Sequence, residues 1–453
     1  MTEDFLLNSK LSRHLYAECA AELPIIDYHN HLAVDEIEQN LRFDNLYDLW
    51  IQPDPYKHRA MRMCGVPERN ITGDAPAEEK FQAWCTVFPK LAGNPLYQWS
   101  LMELQDILEI REIPGPANWR EIWNHSQGFL ERNTVSVGTI LEKYKVEYCS
   151  PCAKLTDDLS PYMGRRNLAP SLRGDTIVSP SADSTKILEE LTGIGITGLE
   201  QYKTAVICRL KDFKETGCHF ADHSLDNGFQ YYEDDGKNDI RFAGMVSGVP
   251  MENEEKNRLI SEMLRFLGEQ YAENGMVLQL HMGAQRFTST RLRNCAGAAG
   301  GYACIGNSVD IASLTGLLDD LEKQPAGLPK VILFTLNPSD HAMISALAGS
   351  YSKDNVAGLI TQGPAWWWCD HNYGIRSLLE NTAAYGLLSN FVGMTTDSRS
   401  FLSFIRHDYF RRILCDWLAC RAQQQDIPDS PEILESLLVD MCYKNAKNIL
   451  EEK

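Results

Sequence analysis

The chain has 453 residues, 43 Lys+Arg against 62 Asp+Glu for a net charge of −19, and 44% apolar residues. That acidic balance excludes nucleic acid or an anionic membrane surface as the main partner, since both need a basic footprint. No apolar run approaches the roughly 18 residues that a membrane helix needs. The amino terminus lacks a basic segment followed by an apolar one, so no secretory leader is expected, and 13 scattered cysteines, an odd number, fit a reduced, cytoplasmic protein.

No segment repeats itself at a period typical of solenoids. Residues Asp4–Ala21 predict a helix and Leu23–Ile26 a short buried strand. From Asp35 to about Arg132 the pattern is helical, rich in Trp and Leu and broken by Pro and Gly. This is too much helix for one βα connection, so residues 35–132 are expected to form an inserted helical subdomain, with the main domain built from 1–34 and 133–453. Apolar runs at Val146–Cys149, Thr204–Leu210, Met276–Leu280, Val331–Leu336, Val356–Ile360 and Phe391–Met394 predict strands, with helices at Glu254–Glu273, Ile311–Glu322 and Phe401–Leu414. Strand–helix alternation implies a parallel α/β sheet. Chemistry-bearing motifs at both the first and the last strand favour closure into a (β/α)8 barrel, because closure brings those strands side by side.

The sharpest motif is Asp27-Tyr28-His29-Asn30-His31, directly after the apolar Pro24-Ile25-Ile26. Residues two apart in a strand share a face, so His29 and His31 project together and can share one cation. Asp397, in Thr395-Thr396-Asp397-Ser398-Arg399, follows the last strand. Its carboxylate can complete a two-histidine metal site or move a proton, while Arg399 can stabilise an oxyanion. It can equally cap the helix that follows. Val277–Leu280 leads into His281 and then Arg286; His281 reads as a third nitrogen ligand or a hydrogen-bond partner of substrate, and a substrate contact is the favoured expectation. Asn337 ends another strand, and Trp366, first of three consecutive tryptophans, is a candidate pocket wall. Cys149 and Cys152 form a CxxC with no second pair to complete a zinc knuckle, and read as structural.

Taken together, these motifs resemble the uronate isomerase family of the amidohydrolase superfamily. The resemblance rests on DYHNHL at 27–32, NLYDLW at 45–50, ITGDAPAEEKFQAW at 71–84, GNPLYQW at 93–99, QLHMGAQR at 279–286, FTLNP at 334–338, AWWW at 365–368 and GMTTDSRSFLSFIRHDYFRRILC at 393–415. It implies a distorted (β/α)8 TIM barrel with a helical insertion after the first strand, and one divalent metal, zinc, held by His29, His31 and Asp397. It also implies interconversion of D-glucuronate with D-fructuronate and of D-galacturonate with D-tagaturonate. Asp397 would move the proton between C2 and C1, with Tyr56 and Arg399 polarising the oxygens, and His281, Arg286, Asn337 and Trp366 would contact the hexuronate. A homo-oligomer is compatible with the resemblance.

Two departures stand out. Pro55-Tyr56-Lys57-His58-Arg59 lacks the family's histidine before the tyrosine, and the Arg-Pro-Asp after the third strand is expected near Ser181-Ala182-Asp183, with the arginine lost. The competing readings are an isomerase of another acid sugar, a metal-dependent hydrolase of the same superfamily, and a non-catalytic sugar-acid binding protein. Hydrolases of this type add a second mid-barrel histidine where this chain has Asn337, which favours isomerisation.

Overall fold

The computed structural model describes residues 1–132, 135–226 and 228–451. Seven parallel strands form one curled sheet in chain order: β1 (Ile25–Asn30), β2 (Val146–Lys154), β3 (Ser171–Arg173), β4 (Phe220–Leu225), β5 (Val277–Met282), β6 (Val331–Thr335) and β7 (Ile360–Gln362). β1, β5 and β6 are buried at every position, as expected of parallel strands covered on both faces. Ile26, Tyr28, Val277, Ile332 and Phe334 from these strands pack with Phe220 of β4 and Val392 as the filling of the barrel. The register sets Arg173 beside Asp222 and Asp222 beside Gln279, aligning the carboxyl ends of β3, β4 and β5.

Residues 391–398 occupy the eighth place without forming a regular ladder. They follow β1 through bonds from Asp397 N–H to the His29 carbonyl (3.1 Å) and from His31 N–H to the Ser398 carbonyl (2.9 Å). The Tyr28 hydroxyl also donates to the Gly393 carbonyl at 3.0 Å. At the centre of this junction the fully buried Asp27 carboxylate accepts from the Thr395 hydroxyl, the Thr396 N–H and the Thr396 hydroxyl, each at 2.7 Å, and from Asn30 at 3.0 Å. The result is a distorted (β/α)8 barrel, as expected.

Between β1 and β2 the chain is helical, notably at Leu46–Trp50, Pro55–Met63, Ala77–Val87, Pro95–Leu108 and Trp119–Arg132. Trp50, Trp84 and Leu104 from this stretch share one contiguous apolar core with Leu280, Leu333 and Ile413 of the barrel. The expected boundary at 133 falls on a residue outside the described set.

Several expected elements need correction. Thr204–Leu210 is not a strand but the middle of the helix Leu199–Glu215, whose buried Tyr202, Ala205, Val206, Leu210 and Phe213 follow helical spacing. Strands β3 and β4 were not anticipated, because β3 has only three residues and β4 reads Phe-Ala-Asp-His-Ser-Leu, with polar groups where an apolar run would signal a strand. β7 starts at Ile360, after a turn at Val356–Leu359. The first regular helix starts only at Lys10, capped by Ser9, and Phe401–Phe404 is a 3-10 turn leading into the helix Ile405–Gln423.

Because Asp27 satisfies four buried donors, Asp27→Asn is expected to lower stability by about 2–4 kcal/mol; an unchanged urea midpoint would contradict this. Burial also holds His58, His223 and His341 neutral, with pKa values pushed down to about 4. In the unfolded chain they titrate near 6.5. The stability this confers is therefore fully present above pH ~6.5 and is lost as pH falls towards ~4, by roughly 1.4 kcal/mol per pH unit for each group. Urea midpoints measured across that range should fall, and His341→Gln should flatten the slope.

Candidate active site

His29, on β1, and His31, just past its end, turn their Nε2 atoms to one oxygen of Asp397: Oδ1 lies 3.2 Å from His29 and 3.0 Å from His31. The other oxygen, Oδ2, accepts from two indoles, Trp366 Nε1 at 2.6 Å and Trp367 Nε1 at 2.5 Å. The carboxylate is thus held from both sides. Burial opposes its ionisation, but the two imidazoles outweigh burial and hold its pKa well below the usual range. Burial lowers the His31 pKa to about 3 against the pull of Asp397, so this ring is neutral, as a ligand must be.

Two non-glycine residues here have left-handed backbones, Asp397 at φ 44° and Trp367 at φ 47°. Such conformations cost about 1–3 kcal/mol each and persist when their surroundings over-determine them. For Asp397 the constraint comes from the Asp27 bonds to Thr395 and Thr396 and from Arg406, which donates to the Thr396 carbonyl while paired with Asp370 at 2.7 Å.

The donor set fits a divalent cation. Two ligands each ~2.1 Å from one ion lie roughly 2.9–3.4 Å apart at octahedral to tetrahedral angles, which matches the two histidine–carboxylate separations. Among the described residues, the groups whose ligand atoms all lie within 4.8 Å of one another are His29, His31 and Cys152, and His29, Asp222 and His281. Two imidazoles and a carboxylate also leave room for substrate, the pattern of a catalytic rather than a closed structural site.

The cavity above these groups has a volume of about 610 Å3, and its walls include His31, Tyr56, Arg173, Arg286, Trp367, Trp368, Asp397 and Arg399. Arg399 is exposed to it and has no hydrogen-bond or ion-pair partner among the described residues. Arg286 is held by Asp226 at 2.8 Å and Ser224 at 2.7 Å, with its guanidinium 5.1 Å from the centre of the Trp367 ring. Arg173 pairs with Asp175 at 2.9 Å. Tyr56 meets Trp368 edge-on at 5.2 Å, and burial raises its phenol pKa well above the ordinary value.

Tyr56 reaches the cavity because Asp54 caps its helix, accepting from Tyr56 N–H at 2.8 Å, and because Lys57 is clamped between Asp54 and Glu103 at 2.9 Å each. Pro55 takes the first helical position, where a missing N–H costs nothing. His58 is buried and is not among the cavity walls.

Other expected contacts lie elsewhere. His281 is buried between His29 and Phe334, with ring centroids 4.5 and 4.4 Å away; it is not a cavity wall, its Nε2 has no hydrogen-bond partner among the described residues, and with His29 and Asp222 it offers ligand atoms within 4.8 Å of one another. Asn337 caps a short turn, accepting from Ser339 N–H at 3.0 Å. Trp366 is buried and holds Asp397, leaving the half-buried Trp367 and Trp368 as the aromatic part of the cavity wall. An arginine does stand at the end of β3, Arg173 in Arg173-Gly174-Asp175, and it lines the cavity, while Ser181 caps the helix Ala182–Thr192. Gly174 stands where a Cβ would fall 2.0–2.5 Å from the His223 ring, so glycine is required there. Sequence reasoning missed Arg173 and Asp222 because the short, polar strands bearing them went unread, although an Arg-x-Asp triplet was there to be found.

If the indoles orient Asp397, Trp366→Phe combined with Trp367→Phe should lower turnover by about 10-fold or more while folding persists, each lost charge-assisted bond being worth roughly 1.5–3 kcal/mol. Full turnover in the double variant would contradict this.

The glucuronate isomerase family profile matches residues 1–450. A uronate isomerase of Bacillus licheniformis is 37% identical over 100% of this chain and 97% of its own length. One from Clostridium perfringens is 35% identical over 98% of both. Among solved structures, a uronate isomerase from Thermotoga maritima superposes with a TM-score of 0.92 at 27% identity, covering 99% of each chain. A glucuronate isomerase from Caulobacter crescentus, at 22% identity, shares the fold with a TM-score of 0.91 over 100% of this chain and 97% of that one. With this profile and these relatives spanning nearly its whole length, the chain belongs to the glucuronate isomerase family and is a uronate isomerase.

Proposed function

We propose that this enzyme interconverts D-glucuronate with D-fructuronate and D-galacturonate with D-tagaturonate, using one divalent cation, zinc, held by His29, His31 and Asp397. The observation that carries the reading is the convergence of two imidazoles on one carboxylate oxygen, beside a guanidinium with no ion-pair partner among the described residues, in the wall of a 610 Å3 cavity. The reaction moves the C2 proton to C1 and the carbonyl from C1 to C2, so carbon is oxidised at one centre and reduced at the next with no outside reagent.

A proton next to an aldehyde is weakly acidic, and its removal needs a base in reach and a cation for the developing oxyanion. Asp397 supplies the base, its geometry fixed by the two indoles. Arg399, without a hydrogen-bond or ion-pair partner among the described residues, stabilises the charge on the C1–C2 oxygens, and the neutral Tyr56 phenol returns a proton to them. The cation, when bound, orients the substrate's carboxylate end. Arg173 and Arg286 add positive charge around the acid, with Trp367 and Trp368 as a wall for the sugar backbone. Residues 35–132 act as an inserted unit that delivers Tyr56 to the cavity. A cytoplasmic setting fits the free cysteines and the metabolic substrate.

Incubation with D-glucuronate in D2O should give fructuronate together with exchange at the transferred position, read by NMR. No exchange and no ketose would overturn the substrate reading. Asp397→Asn should lower kcat about 10²–10⁴-fold, and the pair His29→Ala/His31→Ala should lose the bound metal; retained stoichiometry would refute the ligand assignment.

A further inference from the structure

His29 uses its two ring nitrogens differently. Nε2 faces Asp397, whereas Nδ1 lies 3.7 Å from the Cys152 sulfur on β2. Cys152 in turn reaches the Asp222 carboxylate on β4 at 3.4 Å. Asp222 is almost wholly buried and faces Arg173 at 3.8 Å. No direct hydrogen bond joins His29 to Asp222 among the described residues.

We infer that Cys152 is a positioning residue for the metal centre: its sulfur accepts the Nδ1–H of His29 while its S–H donates to Asp222, which fixes the tautomer that leaves Nε2 free for the cation. This rests on His29 being a ligand, as proposed above. Metal-bound histidines as a rule donate their other N–H to a carboxylate or carbonyl, and losing that partner typically weakens metal affinity about 10–100-fold. In this chain a thiol stands between the imidazole and the carboxylate.

The other cysteine of the pair does not share the role. Residues three apart in a strand point to opposite faces, and the Cys149 sulfur instead accepts from Asn30 at 3.2 Å. The CxxC is therefore two separate contacts to neighbouring residues of β1. His29, His31 and Cys152 do offer atoms within 4.8 Å of one another. The arrangement nevertheless favours positioning over ligation, because the sulfur meets His29 at Nδ1, whereas Nε2 is the nitrogen that faces Asp397.

Zinc affinity of the full-length protein, measured by competition with a chromophoric chelator, tests this. Cys152→Ala should bind zinc about 10–100-fold more weakly, and Cys152→Ser, which keeps both the donor and the acceptor, should recover most of the loss. The cobalt-substituted wild type should show no thiolate-to-cobalt charge-transfer band, and the His29 ring should carry its proton on Nδ1 by nitrogen NMR. Wild-type affinity in Cys152→Ala overturns the proposal, as does a charge-transfer band that disappears in Cys152→Ser, which would make the sulfur a ligand. If Cys152→Ala does not fold, the serine variant and the cobalt spectrum still decide. Wild-type protein that binds no zinc would overturn both this proposal and the ligand set it rests on, whereas tight zinc binding in both proteins would overturn this one alone.

Discussion

The Asp27 carboxylate holds the barrel shut. It is buried, it accepts from Thr395, Thr396 and Asn30, and His407 approaches it at 3.6 Å. A buried carboxylate is costly unless its oxygens are fully engaged, so the segment 391–398 can lie in essentially one way against β1. That placement carries Asp397 over His29 and His31 and pins a residue at positive φ that free chain would avoid. Together with the backbone bonds between Asp397 and His29 and between His31 and Ser398, this clamp aligns a carboxylate with two histidines more than 360 residues away in the chain.

Around that junction, polar groups are layered. Asp397 is gripped by Trp366 and Trp367, and the strand behind it by Arg406, itself paired with Asp370, whose pKa burial raises to about 6 against the pull of Arg406. On the opposite face of His29, Cys152 and Asp222 provide the matching support. Site geometry set by such outer contacts is stiff, which suits a reaction whose barrier depends on where a base and a cation stand relative to two adjacent carbons.

The charge distribution resolves an apparent conflict. A chain with net charge −19 is an awkward host for an anionic sugar, yet the cavity walls set Arg173, Arg286, Arg399 and Lys256 against Asp175, Asp226 and Asp397, with Arg399 uncompensated by any ion pair among the described residues. Local cations inside a low-dielectric cleft outweigh distant surface carboxylates, whose influence solvent and salt screen within about a Debye length.

The sequence by itself determined the chemistry-bearing ends of the barrel. The His-x-His after an apolar strand and the Thr-Thr-Asp-Ser-Arg turn were legible because each is a local pattern whose residue types and spacing have few other uses. The parallel α/β class followed from alternation, since strand and helix periods are also local. Only the tertiary structure decided the middle of the site. Arg173 and Asp222 lie on strands too short or too polar to register as apolar runs, and Thr204–Leu210 looked like a strand until its helical spacing was met by neighbours. Trp366 changed from a pocket wall to a support for Asp397, and Cys152 from a bystander to the neighbour of His29. Each of those roles depends on which side chain a residue faces across the barrel, and a facing partner on another strand leaves no periodic trace in the chain that carries it.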